Sequence, residues 1–146
     1  MNIIRKIFAK RANVSPLWQV HRIMHNFIEA CLLGLEESKT KSSSHGMAFL
    51  LFMLGAVDML SQTQGIDEKD TLILFRDLLK EDLGGYSEED ADTLLNTVVQ
   101  ASGDAQGHHF MKEGAETIKL WISGVQSAPH RLSEILSAIQ LGKQSG

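Results

Sequence analysis

Between Ser44 and Gln64 the chain carries ten large apolar side chains, Met47, Phe49, Leu50, Leu51, Phe52, Met53, Leu54, Val57, Met59 and Leu60, with no charge before Asp58. A membrane-spanning helix needs about 20 mostly apolar residues, whereas here an aspartate interrupts after roughly a dozen and polar Ser61-Gln62-Thr63-Gln64 follows. The run is too short to span a bilayer. A helix that is apolar around its whole circumference must instead be buried on all sides, so residues 44–63 read as the central helix of a bundle. The remaining segments are then expected to be amphipathic helices that cover it.

With 146 residues the chain makes one ordinary domain, and a domain of that size buries about 68–70 % of the surface its unfolded form exposes. Neither a metal nor a disulfide is needed to hold it together. Proline occurs only twice and β-branched runs are nearly absent outside helical patterns, which argues for an all-α, single-domain bundle of about six to seven helices. The lone cysteine, Cys31, lies among Ala30, Leu32 and Leu33 and cannot pair within the chain. An inert buried thiol fits a reducing cytoplasm, and the N-terminus lacks the apolar core and small-residue cleavage site of a secretory signal.

The formal net charge of −4 argues against a nucleic-acid binder, but its distribution says more than its sum. Up to Ile28 no acidic residue occurs, while Arg5, Lys6, Lys10, Arg11 and Arg22 are basic. From Asp67 to Asp92 acidic side chains outnumber Lys69, Arg76 and Lys80.

Residues 1–12 place Ile3, Ile4, Ile7 and Phe8 at helical spacing opposite the four basic residues Arg5, Lys6, Lys10 and Arg11, the pattern of a basic amphipathic helix or arm. Such an arm could dock on the bundle, bind a partner or touch an anionic membrane surface. Ser15-Pro16 supplies a cap and a proline at the first helical position, so a helix is expected over 16–37. On its wheel Leu17, Val20, Met24, Phe27, Ile28, Cys31 and Leu35 share one face, with Arg22, Asn26, Glu29 and Glu36 opposite. A polar loop over 38–44 leads into the central helix.

Asp67 caps a helix to about Leu79, with Leu72, Ile73, Phe75, Leu78 and Leu79 expected inward and Gly84-Gly85 ending it. Ser87-Glu88-Glu89-Asp90 then opens a helix with a stripe of Ala91, Leu94, Leu95, Val98 and Val99. After a turn over 102–107 comes a helix to about Val125, with Gly114 where a second backbone can come close and Glu113 facing out. Ala128-Pro129 starts the last helix, striped by Leu132, Ile135, Leu136 and Ile139, and residues 142–146 are expected to fray.

Four side chains are candidate ligands. His21 and His25 stand i, i+4 on one helix, a spacing that lets two imidazoles reach one ion, although Arg22 lies between them and no zinc-protease glutamate does. Asp58 interrupts the central helix and must find a donor, such as a Trp18 or Trp121 indole, Arg22 or a histidine, or else be pushed toward its neutral form. His108 could add a further ligand, whereas its neighbour His109 pairs with Glu113 one turn on. The acidic region does not fit the EF-hand loop, because Gly84 and Tyr86 fall at ligand positions counted from Asp82 and Lys69 does so from Asp67. No phosphate loop, nucleophile elbow or paired-cysteine zinc pattern occurs.

These readings identify no catalytic residues and call for no cofactor, so an enzyme is not the expected class. The expected function is that of a bacterial, cytoplasmic helical protein that presents a groove to a protein partner or to a second copy of itself. The alternative is a bundle that binds a small ligand or metal in a pocket near His21, His25 and Asp58.

Overall fold

A computed structural model describes residues 15–38 and 46–145, and the expectations for residues 1–12 and for the loop after Ser38 lie outside them. That includes Ile3, Ile4, Ile7 and Phe8 together with Arg5, Lys6, Lys10 and Arg11. The described residues form six helices and no strand: α1 Pro16–Ser38, α2 Met47–Thr63, α3 Glu68–Glu81, α4 Glu88–Ala101, α5 Ala105–Ile122 and α6 His130–Ser145. The all-α bundle expected from the hydropathy pattern is what the chain forms. None of these helices is long and apolar enough to cross a membrane.

Helix α2 is the centre. Every residue from Phe49 to Val57 is buried, and so are Leu60 and Ser61. The other helices turn one stripe each toward it. On α1 the buried apolar side chains are Val20, Met24, Phe27, Ile28, Cys31 and Leu35, on α5 they include Phe110, Ile118 and Ile122, and on α6 they include Leu132, Ile135 and Leu136. Burial pushes the Cys31 thiol far above its ordinary pKa, which leaves it protonated and inert.

The closest neighbour of α2 is α5, and two glycines make that closeness possible. A Cβ placed on Gly55 would land on the backbone carbonyl of Met111, and one placed on Gly114 would land on that of Phe52. Each helix therefore presents its glycine to the other's backbone. Above the crossing, the Phe27 ring of α1 stacks on Phe52 of α2 with centroids 6.3 Å apart, and Trp121 of α5 tilts against Phe27 at 6.1 Å.

Capping fixes the helix starts. Asp67 accepts a hydrogen bond from the Asp70 amide at 2.8 Å, Ser87 from the Asp90 amide at 3.2 Å, and Asp104 from the Gly107 amide at 2.7 Å, so each satisfies a first-turn amide that has no helical partner. Gly65, Gly84, Gly85 and Gly124 hold the positive φ that ends the preceding helices.

Three assignments of facing are corrected, the first being Val99, expected in the inward stripe of α4 but exposed. On α3 the buried set is Thr71, Leu74, Phe75, Leu78 and Leu79, while Ile73 is 47 % exposed. Hydrophobicity alone drew Ile73 inward, but the 71, 74, 75, 78 spacing leaves it on the outer arc. On α5, Glu113 does not point freely outward, because its carboxylate accepts a 2.8 Å hydrogen bond from Arg131 Nε of α6.

Candidate functional site

The helical pair His21 and His25 meets carboxylates at the end of α3. His21 Nε2 lies 3.0 Å from Glu81 Oε2. His25 Nδ1 lies 2.6 Å from Asp82 Oδ1, and its Nε2 is 3.4 Å from Glu29 on its own helix. Together these place one donor atom each of His21, Glu81 and Asp82 within 4.8 Å of one another. Asp82 raises the His25 pKa above its ordinary value, chiefly through that hydrogen bond, with partial burial opposing and Glu29 and Glu81 adding to the rise.

Local sequence explains the convergence. The i, i+4 spacing points both imidazoles to one side of α1, and α3 stops beneath them because Gly84 and Gly85 take positive φ. The Asp82 and Leu83 amides both donate to the Leu78 carbonyl, at 2.7 and 2.8 Å, which closes the end of α3. Arg22 does not enter the cluster. Its guanidinium stacks over the Trp18 ring, 5.5 Å from the centroid.

Sequence reasoning missed Glu81 and Asp82. Their signal was present, since two acidic residues in the last turn oppose the helix dipole and so call for a compensating cation. Lys80, the basic residue of that turn, bonds instead to Glu88 of α4 at 3.1 Å.

Asp58 stands apart from the histidines. It is half-buried and accepts a 2.8 Å hydrogen bond from Gln62 Nε2 one turn on, rather than from an indole, Arg22 or a histidine. It lines a separate cleft with Gln62, Glu68 and Thr71. Burial raises its pKa, Glu68 adds to the rise, and Gln62 opposes it. The expected pocket uniting His21, His25 and Asp58 is thus replaced by two sites, because Gln62 on the same helix satisfies Asp58 locally. His108 is exposed on α5 and is not among the clustered ligand atoms.

A groove of mixed polarity opens where the start of α2, the corner between α4 and α5, and α6 fail to close. Met47, Ala48, Leu51, Phe110, Leu136 and Ile139 form its walls, Asp104 and Gln106 stand among its lining, and its volume is about 370 Å³. The acidic α3–α4 pair is partly neutralised in place, since Arg76 of α3 pairs with Asp92 and Lys80 with Glu88.

The Glu113–Arg131 pair, which joins α5 to the start of α6, gives a pH test of the packing. The Arg131 guanidinium holds the Glu113 carboxyl below its ordinary range despite partial burial, and the Glu113 side chain is only 16 % exposed. A depressed carboxyl pKa stabilises the fold above the unfolded value of 4.5, and that contribution disappears as pH falls through the lower folded value. Glu113→Gln should therefore be less stable than the parent at neutral pH, with the two urea midpoints converging in acid. Midpoints separated by a constant amount at every pH would show that the pair does not act this way.

No protein-family model, curated protein or solved structure matches the chain.

Proposed function

We propose that the chain is a helical interaction module whose working surface is the groove between α2, the α4–α5 corner and α6, and that its occupant is an amphipathic helix with a basic flank. The groove itself carries this reading. A groove whose walls carry Met47, Leu51, Phe110, Leu136 and Ile139 offers apolar contacts to the anchors that an amphipathic helix presents at i, i+3, i+4 and i+7. Charge supports the choice of occupant. Residues 15–146 contain 18 acidic against 10 basic side chains, a balance that attracts and orients a basic partner.

A peptide with the sequence of residues 1–12 is the natural first probe. It carries Ile3, Ile4, Ile7 and Phe8 beside Arg5, Lys6, Lys10 and Arg11, and it tests self-association at the same time. Fluorescence anisotropy of the labelled peptide against a chain lacking residues 1–12 should show saturable binding. Ala48→Lys, at a half-buried position in the wall, should weaken that binding by about tenfold or more through bulk and like charge, while leaving the helical circular dichroism intact. Absence of binding, together with a full-length chain that sediments as a monomer at every concentration, would remove the support for this reading.

A further inference from the structure

The cluster at the junction of α1 and α3 lies on different residues from the groove, and its chemistry is different. We propose that it is a binding site for a divalent first-row transition metal such as Zn²⁺, with His21, Glu81 and Asp82 as ligands and His25 as the residue that positions Asp82.

Three observations meet there. The first is convergence: an imidazole nitrogen from α1 and carboxylates of two consecutive residues at the end of α3 come within 4.8 Å of one another. Ligands around a metal at bond lengths of about 2.1 Å sit roughly 3.4 Å apart, so side-chain rotations of the order of 1 Å would bring this set into a coordination sphere. Both Glu81 and His21 have the solvent exposure to make such rotations.

The second is the state of Asp82. Its side chain is only 11 % exposed, and Oδ1 is engaged by His25, yet Oδ2 is buried with no hydrogen-bond partner among the described residues. A buried carboxylate oxygen left unsatisfied is costly, and a cation held by the Asp82 carboxylate would offset that cost. Metal-bound carboxylates are commonly held by such an outer hydrogen bond, which fixes their orientation. His25 Nδ1 supplies that bond at 2.6 Å.

The third is the electrostatic setting. The carbonyl end of α3 carries partial negative charge, Glu29 adds another carboxylate beside His25, and among the described residues Arg22 is turned onto Trp18 and Lys80 onto Glu88. Carboxylates of Glu29, Glu81 and Asp82 at this corner attract a positive ion. One imidazole nitrogen with two carboxylates suits Zn²⁺ and its first-row neighbours better than Ca²⁺, which takes six to eight oxygen ligands. Three protein ligands also leave room for water on the ion, as in sites that are not purely structural.

Isothermal titration of the full chain with Zn²⁺, purified without a histidine tag, tests the assignment. One saturable site is expected, with a melting temperature that rises as Zn²⁺ is added. Glu81→Gln is nearly isosteric at an exposed position and should abolish or sharply weaken binding while keeping the parent circular dichroism. His21→Ala should do the same. His25→Ala should weaken binding by about 10- to 100-fold, the usual effect of removing a residue that orients a ligand. His108→Ala should change nothing. Lack of saturable Zn²⁺ binding by the full chain would overturn the proposal, as would binding that persists undiminished in folded Glu81→Gln and His21→Ala proteins.

Discussion

Gly114→Ala is expected to destabilise the protein by about 3 kcal/mol or more, at the upper end of what overpacking costs. The added methyl would occupy the position of the Phe52 carbonyl, which is backbone and cannot rotate aside. Relief requires α2 and α5 to separate, and that loosens contacts along the tightest helix pair in the fold. The intrinsic helix preference of alanine over glycine, about 1 kcal/mol, acts in the opposite direction and is too small to offset this. A domain of this size has only about 5–15 kcal/mol of stability in total, so the variant should lose a large part of it. Gly34→Ala is the matched control. It too lies within a helix, but nothing among the described residues stands within 4 Å of the added carbon, so propensity should win and the urea midpoint should hold or rise. Equal midpoints for Gly114→Ala and the parent would mean that α2 and α5 do not cross backbone to backbone.

Phe52→Ala should cost about 3–5 kcal/mol, the range for emptying a buried aromatic position. Phe52 is fully buried, and its ring links α1 to α2 through Phe27, which in turn meets Trp121 of α5. The cavity would open where rings from α1 and α5 meet the α2 helix. Trp121 reports the change optically, and its emission maximum should shift to the red as the site loosens. Ile73→Ala provides the contrast, because Ile73 is large and apolar yet lies on the outer arc of α3, and its truncation should stay within about 0.5 kcal/mol. A reversed order of the two losses, measured by denaturant titration, would contradict the placement of both residues.

Much of this architecture was legible in the chain itself. The unbroken apolar run of α2, the stripe on α1 and the caps at Asp67 and Ser87 are local patterns, governed by helical periodicity and by the need to satisfy first-turn amides. Gly114 also stood out as a point of close approach, since a glycine amid an apolar stripe lacks the side chain that would keep a neighbouring helix away. Its counterpart Gly55 drew no notice, because within a wholly apolar helix nothing marks which face meets which neighbour.

The sites followed a different rule. Spacing alone determined that His21 and His25 point to one side of α1, but their partners are more than fifty residues away in the chain. Only the docking of α3 against α1 decided that they meet Glu81 and Asp82 rather than Asp58. The same holds for Glu113, whose partner Arg131 sits on the next helix, and for the groove, which exists because three helix ends do not quite meet. Helical periodicity fixes what each segment turns inward. Which charged edges come together depends on helix crossings, and those are set by side-chain packing across distances that no local pattern records.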